Sequence, residues 1–326
     1  GRWAPMAVGW LIVLSAIVST STVVNGYVGY VQVFVQWPDW VIIAGAVLIL
    51  GGVAVTGIEA SMATIAVITA IEFIGLLVIV VVAGHHLGDL PARWTELVPG
   101  IRFSEWAGVL SGAFLAFFAF IGFEDMVNVA EEAKRPRRDM PRAILISFAI
   151  LTVLYLLVAV IGSLALPVDQ LRASDAPLAD ILRQEGERYP LLISAIGLVA
   201  IVNGVLVQII MGARVLYGMG SNGLAPKRFG RIHPRTRTPV ESTALMVGAI
   251  LVLALAVDLS SLAQATNYIL LTVFTVVNAS LVRLQRRDPA PDDHRPLPRW
   301  VAWTGAVFSA SVLVARIVQA VWEATT

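Results

Sequence analysis

Three acidic residues stand in apolar sequence that offers them no partner. Glu72 lies in TAIEFIGLLVIVVVAG, Thr69–Gly84, with no basic residue within a helical turn. Desolvation there disfavours the carboxylate and favours the neutral acid. An acid that can gain and lose a proton in such a place is a candidate proton carrier. The plainer reading is a permanently protonated side chain in an interhelical hydrogen bond. Glu124 and Asp125 follow Gly122 and Phe123 in FFAFIGFEDMVNVAEEAKRPRRDMPRAI, Phe117–Ile144. Glycine beside an acid permits an unwound turn, because glycine adopts conformations closed to other residues. A helix broken this way exposes N–H groups that bind anions and carbonyls that bind cations. The alternative is a straight helix whose acids approach a headgroup layer.

These acids need long apolar elements to hold them, and the composition supplies such elements. The chain of 326 residues is 58% hydrophobic and only 14% charged, where a soluble domain carries roughly a quarter charged residues. A spanning helix needs about 20 mostly apolar residues, and about nine candidates occur. They are Ala7–Phe34, Trp40–Thr56, Ala60–Gly84, Trp106–Val129, Ala143–Leu166, Leu191–Tyr217, Val240–Val257, Leu262–Leu284 and Trp300–Val321. In lipid every backbone polar group must be satisfied internally, so such runs are helices. The expected fold class is all-α: a polytopic transmembrane helix bundle in a single domain, residues 1–326.

The distribution of Lys and Arg orients the bundle. Segments 130–142, 218–239 and 285–299 are rich in both, from Lys134 and Arg135 to Arg295 and Arg299. The loops at the opposite ends of the spans hold only Arg93, Arg102, Arg172, Arg183 and Arg188. The positive-inside rule puts the first set in the cytoplasm and loops 85–105 and 167–190 outside. The clusters read as topological signals rather than as a nucleic-acid surface. Within the second outer loop, ASDAPLADILRQEGERYP has the spacing of a short surface helix. Trp37, Trp40, Trp94, Trp106 and Trp300 sit near helix ends, as an aromatic belt does.

Other polar residues point to packing. Asn203, Gln208 and Arg214 on one span, and Ser15, Ser19, Thr20, Ser21, Thr22 and Asn25 on the first, are types that commonly join membrane helices. His85 and His86 end the third span; adjacent side chains on a helix point different ways, which argues against a metal site. The chain has no cysteine, hence no disulfide, thiolate site or cysteine nucleophile. No phosphate loop, nucleotide motif or zinc-protease motif appears. No enzymatic activity, cofactor or metal is expected.

The stretch Phe117–Ile144 resembles the sixth helix and following loop of the amino acid–polyamine–organocation (APC) transporter superfamily. The shared features are the aromatic run and Gly-aromatic-acid of Phe118–Glu124, the Glu-Glu-x-Lys-x-Pro of Glu131–Pro136, and Pro141–Ala143. Ala213–Val240, ARVLYGMGSNGLAPKRFGRIHPRTRTPV, looks like the family's loop between helices eight and nine. Counting from these motifs, the chain begins at family helix three and ends near helix eleven. The expectation is a chain without family helices one, two and twelve.

The resemblance implies a broken-helix, inverted-repeat transporter fold and secondary uptake or exchange of amino acids or related amines. Helices one and six would rock against a scaffold of helices three, four, eight and nine. Phe118 would take the place of the aromatic gate over the substrate. Ala119, Phe120, Ile121, Gly122 and Phe123 would offer backbone groups and aromatic walls. Glu124 would be the acid at the break. Glu72 falls where several proton-coupled members carry a lysine on helix five; a glutamate there would carry a proton or help hold a cation, so the coupling ion is a proton or sodium. The implied location is the cytoplasmic membrane, multi-pass. A non-transporting sensor or subunit that kept the fold is the other reading.

Overall fold

The computed structural model describes residues 3–57, 62–123, 135–287 and 298–325. It is all-helical, with no strand among the described residues. The long helices are α1 (Trp3–Gln32), α2 (Asp39–Thr56), α3 (Met62–Val82), α5 (Phe103–Ala116), α6 (Pro136–Ala165), α9 (Arg188–Ser221), α10 (Val240–Ala256), α11 (Leu259–Arg287) and α12 (Arg299–Thr325). Short helices α4 (Leu90–Leu97), α7 (Val168–Ala173) and α8 (Pro177–Arg183) lie between them. The expected span Trp106–Val129 is helical as α5 only as far as Ala116, and its residues 124–129 lie outside the described ones; the other eight expected spans each correspond to one of the long helices. Six of them (α1, α2, α6, α9, α11 and α12) are long and apolar enough to cross a membrane by themselves. Residues 66–82 pass together with residues 84–97, across a 51° bend. The chain is a multi-pass membrane protein.

Local chemistry sets several of these ends. Pro136 occupies the first turn of α6, where its missing N–H costs nothing. Asp258 caps α11 by accepting from the Ser261 N–H at 2.9 Å. That bonding, with the Ser261 hydroxyl first, holds the Asp258 carboxyl below the usual carboxylate range.

The centre of the bundle is a block of α1, α2, α9 and α10, in which each helix packs on the other three. Its core includes Val13, Val24, Val47, Val205, Ile209, Met246 and Ile250, all within 1% of complete burial. Half of the apolar window of α1 is buried, against 11% for α6, so α1 is central and α6 peripheral. α11 packs along α1 and carries α12 on its other side, while α5 leans on α11 and α12.

The segment between α6 and α9 corrects one expectation. It contains α8, but this is no surface helix: Ala179, Ile181 and Leu182 are buried. They form a second apolar cluster with Ile79 of α3, Ile161 of α6 and Ile193 of α9. A short helix with this much apolar surface gains more by plugging the end of the bundle than by lying on it. At the same end, Arg93 of α4 donates to the Leu164 carbonyl at 2.8 Å. At the other end, Thr238 donates to the Val55 carbonyl at 2.8 Å. There Gly220 and Gly230 lie so close that a Cβ on either would strike the other's backbone. The two loops poor in Lys and Arg therefore meet at one end, and the segment following α9 meets α2 at the opposite one.

Candidate functional site

The α5 helix does not run through. It ends at Ala116, tightens into a 3-10 turn over Phe117–Phe120, and opens into extended backbone at Ile121, where ψ is 144°. Gly122 follows with φ +117°, a conformation that L side chains rarely adopt. The last carbonyls of a helix have no partner inside it and carry the negative end of its dipole. A helix stopped here sets that carbonyl end among partly buried residues rather than at a headgroup-facing terminus.

Beside this break is a cavity of about 330 Å³ between α1, α9 and α11, with Ile121 in its wall. Its polar side chains are Ser15, Ser19 and Gln208, and its apolar ones include Ile12, Met211 and Phe274. The Gln208 amide oxygen lies 3.1 Å from Ser19 Oγ and 2.8 Å from Thr20 Oγ1, joining α9 to α1. Ligand sites are typically of this kind: about 300 Å³ or more, mostly apolar, with a few placed polar groups. A larger, open cavity of about 1190 Å³ lies at the ends of α1, α2 and α10 nearest α8. It holds no part of the break, so the smaller cavity is the better candidate.

The residues expected at the substrate site divide. Ile121 lines the cavity. Phe123 packs on Phe274 at a ring separation of 5.6 Å, and Phe117 meets the same ring edge-on at 6.3 Å. Phe120 turns the other way, to Phe148 and Tyr155 of α6 at 5.1 and 5.4 Å. Phe118 is half-buried and Ala119 exposed; neither is among the residues around the cavity. Gly122 makes the turn. Glu124 and Asp125 lie outside the described residues.

Glu72 is half-buried on α3, and the Asn203 side chain of α9 hydrogen-bonds to it. Its carboxyl also lies close enough to Tyr155 to act on that phenol electrostatically. Tyr155 is the ring that Phe120 meets. Glu72 is therefore one aromatic layer away from the 3-10 turn, and not in the cavity itself.

One cluster has no counterpart in the sequence reading. Arg316 of α12 is buried; it donates to Ser111 of α5 at 2.9 Å and to Gln319 at 2.7 Å, and its guanidinium stacks on Phe114 at 5.0 Å. Asn267 of α11, fully buried, donates to the carbonyl of the same Phe114. Gln319 donates to the Ala107 carbonyl. The signal was available: Arg316 is a lone charge within the apolar run Trp300–Val321, and such charges turn inward.

Comparison with known proteins gives these features a setting. The family described as amino acid permease matches residues 1–326. Cationic amino acid transporter 4 of Homo sapiens is 30% identical over 311 residues, 89% of this chain and 48% of that protein. Branched-chain amino acid permease BcaP of Bacillus subtilis (strain 168) is 26% identical over 315 residues, 89% of this chain and 66% of that protein. The methylthioribose transporter of the same bacterium is 26% identical, with the same coverage. The chain spans about half the length of the first and about two thirds of the others.

Proposed function

Because the chain belongs to the amino acid permease family, we propose that it moves amino acids or related amines across the cytoplasmic membrane by secondary active transport, with the break at Ile121 and Gly122 at the centre of the substrate site. The observation that carries this reading is the stopped half-helix beside a cavity of amino-acid size. The substrate's ammonium group would meet the carbonyl end of the half-helix, with Ile121 and the Phe123–Phe274 pair beside it. The cavity wall around the break is apolar, with no charged side chain among the described residues. That favours a neutral side chain over a cationic one. The block of α1, α2, α9 and α10 would be the scaffold, and α5 the arm that moves against it. Segments 130–142, 218–239 and 285–299 would face the cytoplasm, with 85–105 and 167–190 outside.

Glu72 and Glu124 are the proposed carriers of a coupled proton. Proteoliposomes holding the complete gene product, with and without an inward proton gradient, test the whole reading with labelled leucine and arginine. Gradient-driven accumulation of leucine in preference to arginine is expected. The Glu72→Gln variant should lose accumulation and keep counterflow exchange. Accumulation of arginine alone would overturn the assignment of a neutral substrate. Absence of flux for any amino acid or amine would favour a non-transporting protein of the same fold.

A further inference from the structure

The outer end of the bundle brings together three side chains that the transport reading does not use. His85 and His86 sit in the tight turn where α3 bends toward α4, and Glu185 in the connection from α8 to α9. On a straight α-helix adjacent side chains diverge by about 100°. Here the chain bends, and the two imidazoles stack, with centroids 4.2 Å apart. Their Nε2 atoms face one carboxylate oxygen of Glu185, at 3.5 and 3.3 Å. One ligand atom from each of the three residues lies within 4.8 Å of the other two.

Two details separate this from an ordinary ion pair. His85 Nδ1 is 3.2 Å from the Val82 carbonyl. A carbonyl only accepts, so Nδ1 carries the proton and a neutral His85 turns its Nε2 lone pair toward Glu185. His86 Nε2 is buried and makes no hydrogen bond. Two imidazoliums stacked over one carboxylate would repel each other, and a neutral one sets a lone pair against a negative oxygen. A divalent cation between the three atoms removes both conflicts. In a tetrahedral site with metal–N and metal–O bonds of about 2.0–2.2 Å, ligand atoms stand about 3.3–3.5 Å apart. The two histidine–glutamate separations fall in that range, and the two ring nitrogens lie within 4.8 Å of each other. The Val82 carbonyl does for His85 what a backbone acceptor does for most metal-bound histidines: it fixes the tautomer and the ring.

We propose that His85, His86 and Glu185 bind one divalent transition-metal ion, zinc being the best match, with the fourth position left to water. Two imidazoles and a carboxylate suit zinc, and calcium or magnesium would require more oxygens. Bound there, the ion cross-links the bend after α3 to the start of α9. It would brace the outer end of the bundle from the solvent side, where His85 remains exposed.

The background for a test is low, because the chain has four histidines and no cysteine. Of the other two, His233 lies in the segment that meets α2 at the opposite end, and His294 lies outside the described residues. The purified protein in nanodiscs, with an affinity tag free of histidine, is titrated with Zn²⁺ against a chromophoric chelator. It is then loaded with Co²⁺ and its visible spectrum recorded. One equivalent is expected, with the intense bands of tetrahedral Co²⁺. Glu185→Gln and His86→Ala should each weaken binding by about a hundredfold or more, while His233→Gln leaves it unchanged. Glu185→His, which restores a ligand atom, should regain the Co²⁺ bands and so distinguish a lost ligand from a lost fold. No stoichiometric binding, or binding that survives both ligand variants, overturns the proposal. The readout is metal alone, so the result stands apart from any transport activity.

Discussion

The four-helix block and the α5 arm are held by different means. In α1, α2, α9 and α10 the contacts are continuous and apolar. Some of their hydroxyls return to their own helix, as Thr22 does to Val18, while Ser21 lies near both the Ile17 carbonyl of its own helix and the Ile250 carbonyl of α10. Among its described side chains the α5 arm has one that is fully embedded, Phe114, and its other links to α11 and α12 include a few discrete polar contacts. A close-packed block resists continuous deformation, whereas a few hydrogen bonds can be exchanged for others as a unit. A membrane gives packed helices little hydrophobic incentive to stay together, so the type of contact decides which part can move.

The sharpest way to break this contrast is at Gly122. A Cβ there would meet nothing within 4 Å, so what a side chain strains first is the backbone. Leucine at φ +117° is strained by about 1–3 kcal/mol, enough to favour a continued helix over the break. Gly122→Leu is expected to abolish substrate binding and uptake while membrane insertion and folded yield persist. Uptake and size-exclusion profiles measured on the same preparation check it. Normal uptake would mean that the break is not needed.

The next largest effect is expected at Arg316. Arg316→Ala removes the bonds to Ser111 and Gln319 and the stacking on Phe114. Each hydrogen bond to a charged group contributes about 1.5–3 kcal/mol, partly offset by relief from burying the charge. A net loss of about 1–3 kcal/mol follows, read as a lower thermal midpoint in detergent. Uptake should fall as α5 loses its attachment to α12. An unchanged midpoint together with unchanged uptake would remove Arg316 from the account of how the arm is held.

Much of this was legible in the sequence. Eight of the nine long apolar runs correspond to long helices, as lipid demands of a backbone that must satisfy itself; the run from Trp106 is helical only to Ala116. Gly122 announced the break by its type and by the acids after it. Boundaries were less legible: α6 begins at Pro136, seven positions before the apolar run at Ala143, because a charged first turn forms a helix as readily as an apolar one. Burial of α8 was not legible, since seven residues give too short a period to tell a plug from a surface helix. The cavity was the least so. Ser15, Ser19 and Gln208 read as helix-packing residues, but their place in its wall depends on three helices meeting, and no local pattern encodes that. The facing of Phe120 toward α6 and of Ile121 toward the cavity arises from the 3-10 turn, which shifts each side chain from its α-helical direction.

The smallest effect is expected inside the block, at Thr20. Its hydroxyl lies 2.6 Å from the Ala16 carbonyl and 2.8 Å from the Gln208 amide, and Ser19 repeats the pattern at 3.3 and 3.1 Å. One hydroxyl proton cannot serve two acceptors. The donors balance when Gln208 presents its NH₂ to both hydroxyls and both hydroxyls donate to Ala16, an amide orientation that heavy-atom positions do not distinguish. Thr20→Val then frees one N–H of Gln208 while Ser19 keeps the other. Interhelical hydrogen bonds in membranes average about 0.6 kcal/mol, and valine preserves the shape. The thermal midpoint should therefore fall only slightly, and uptake should persist. A loss as large as that of Arg316→Ala would mean that the block, like the arm, depends on single polar contacts, and the division between scaffold and arm would fail.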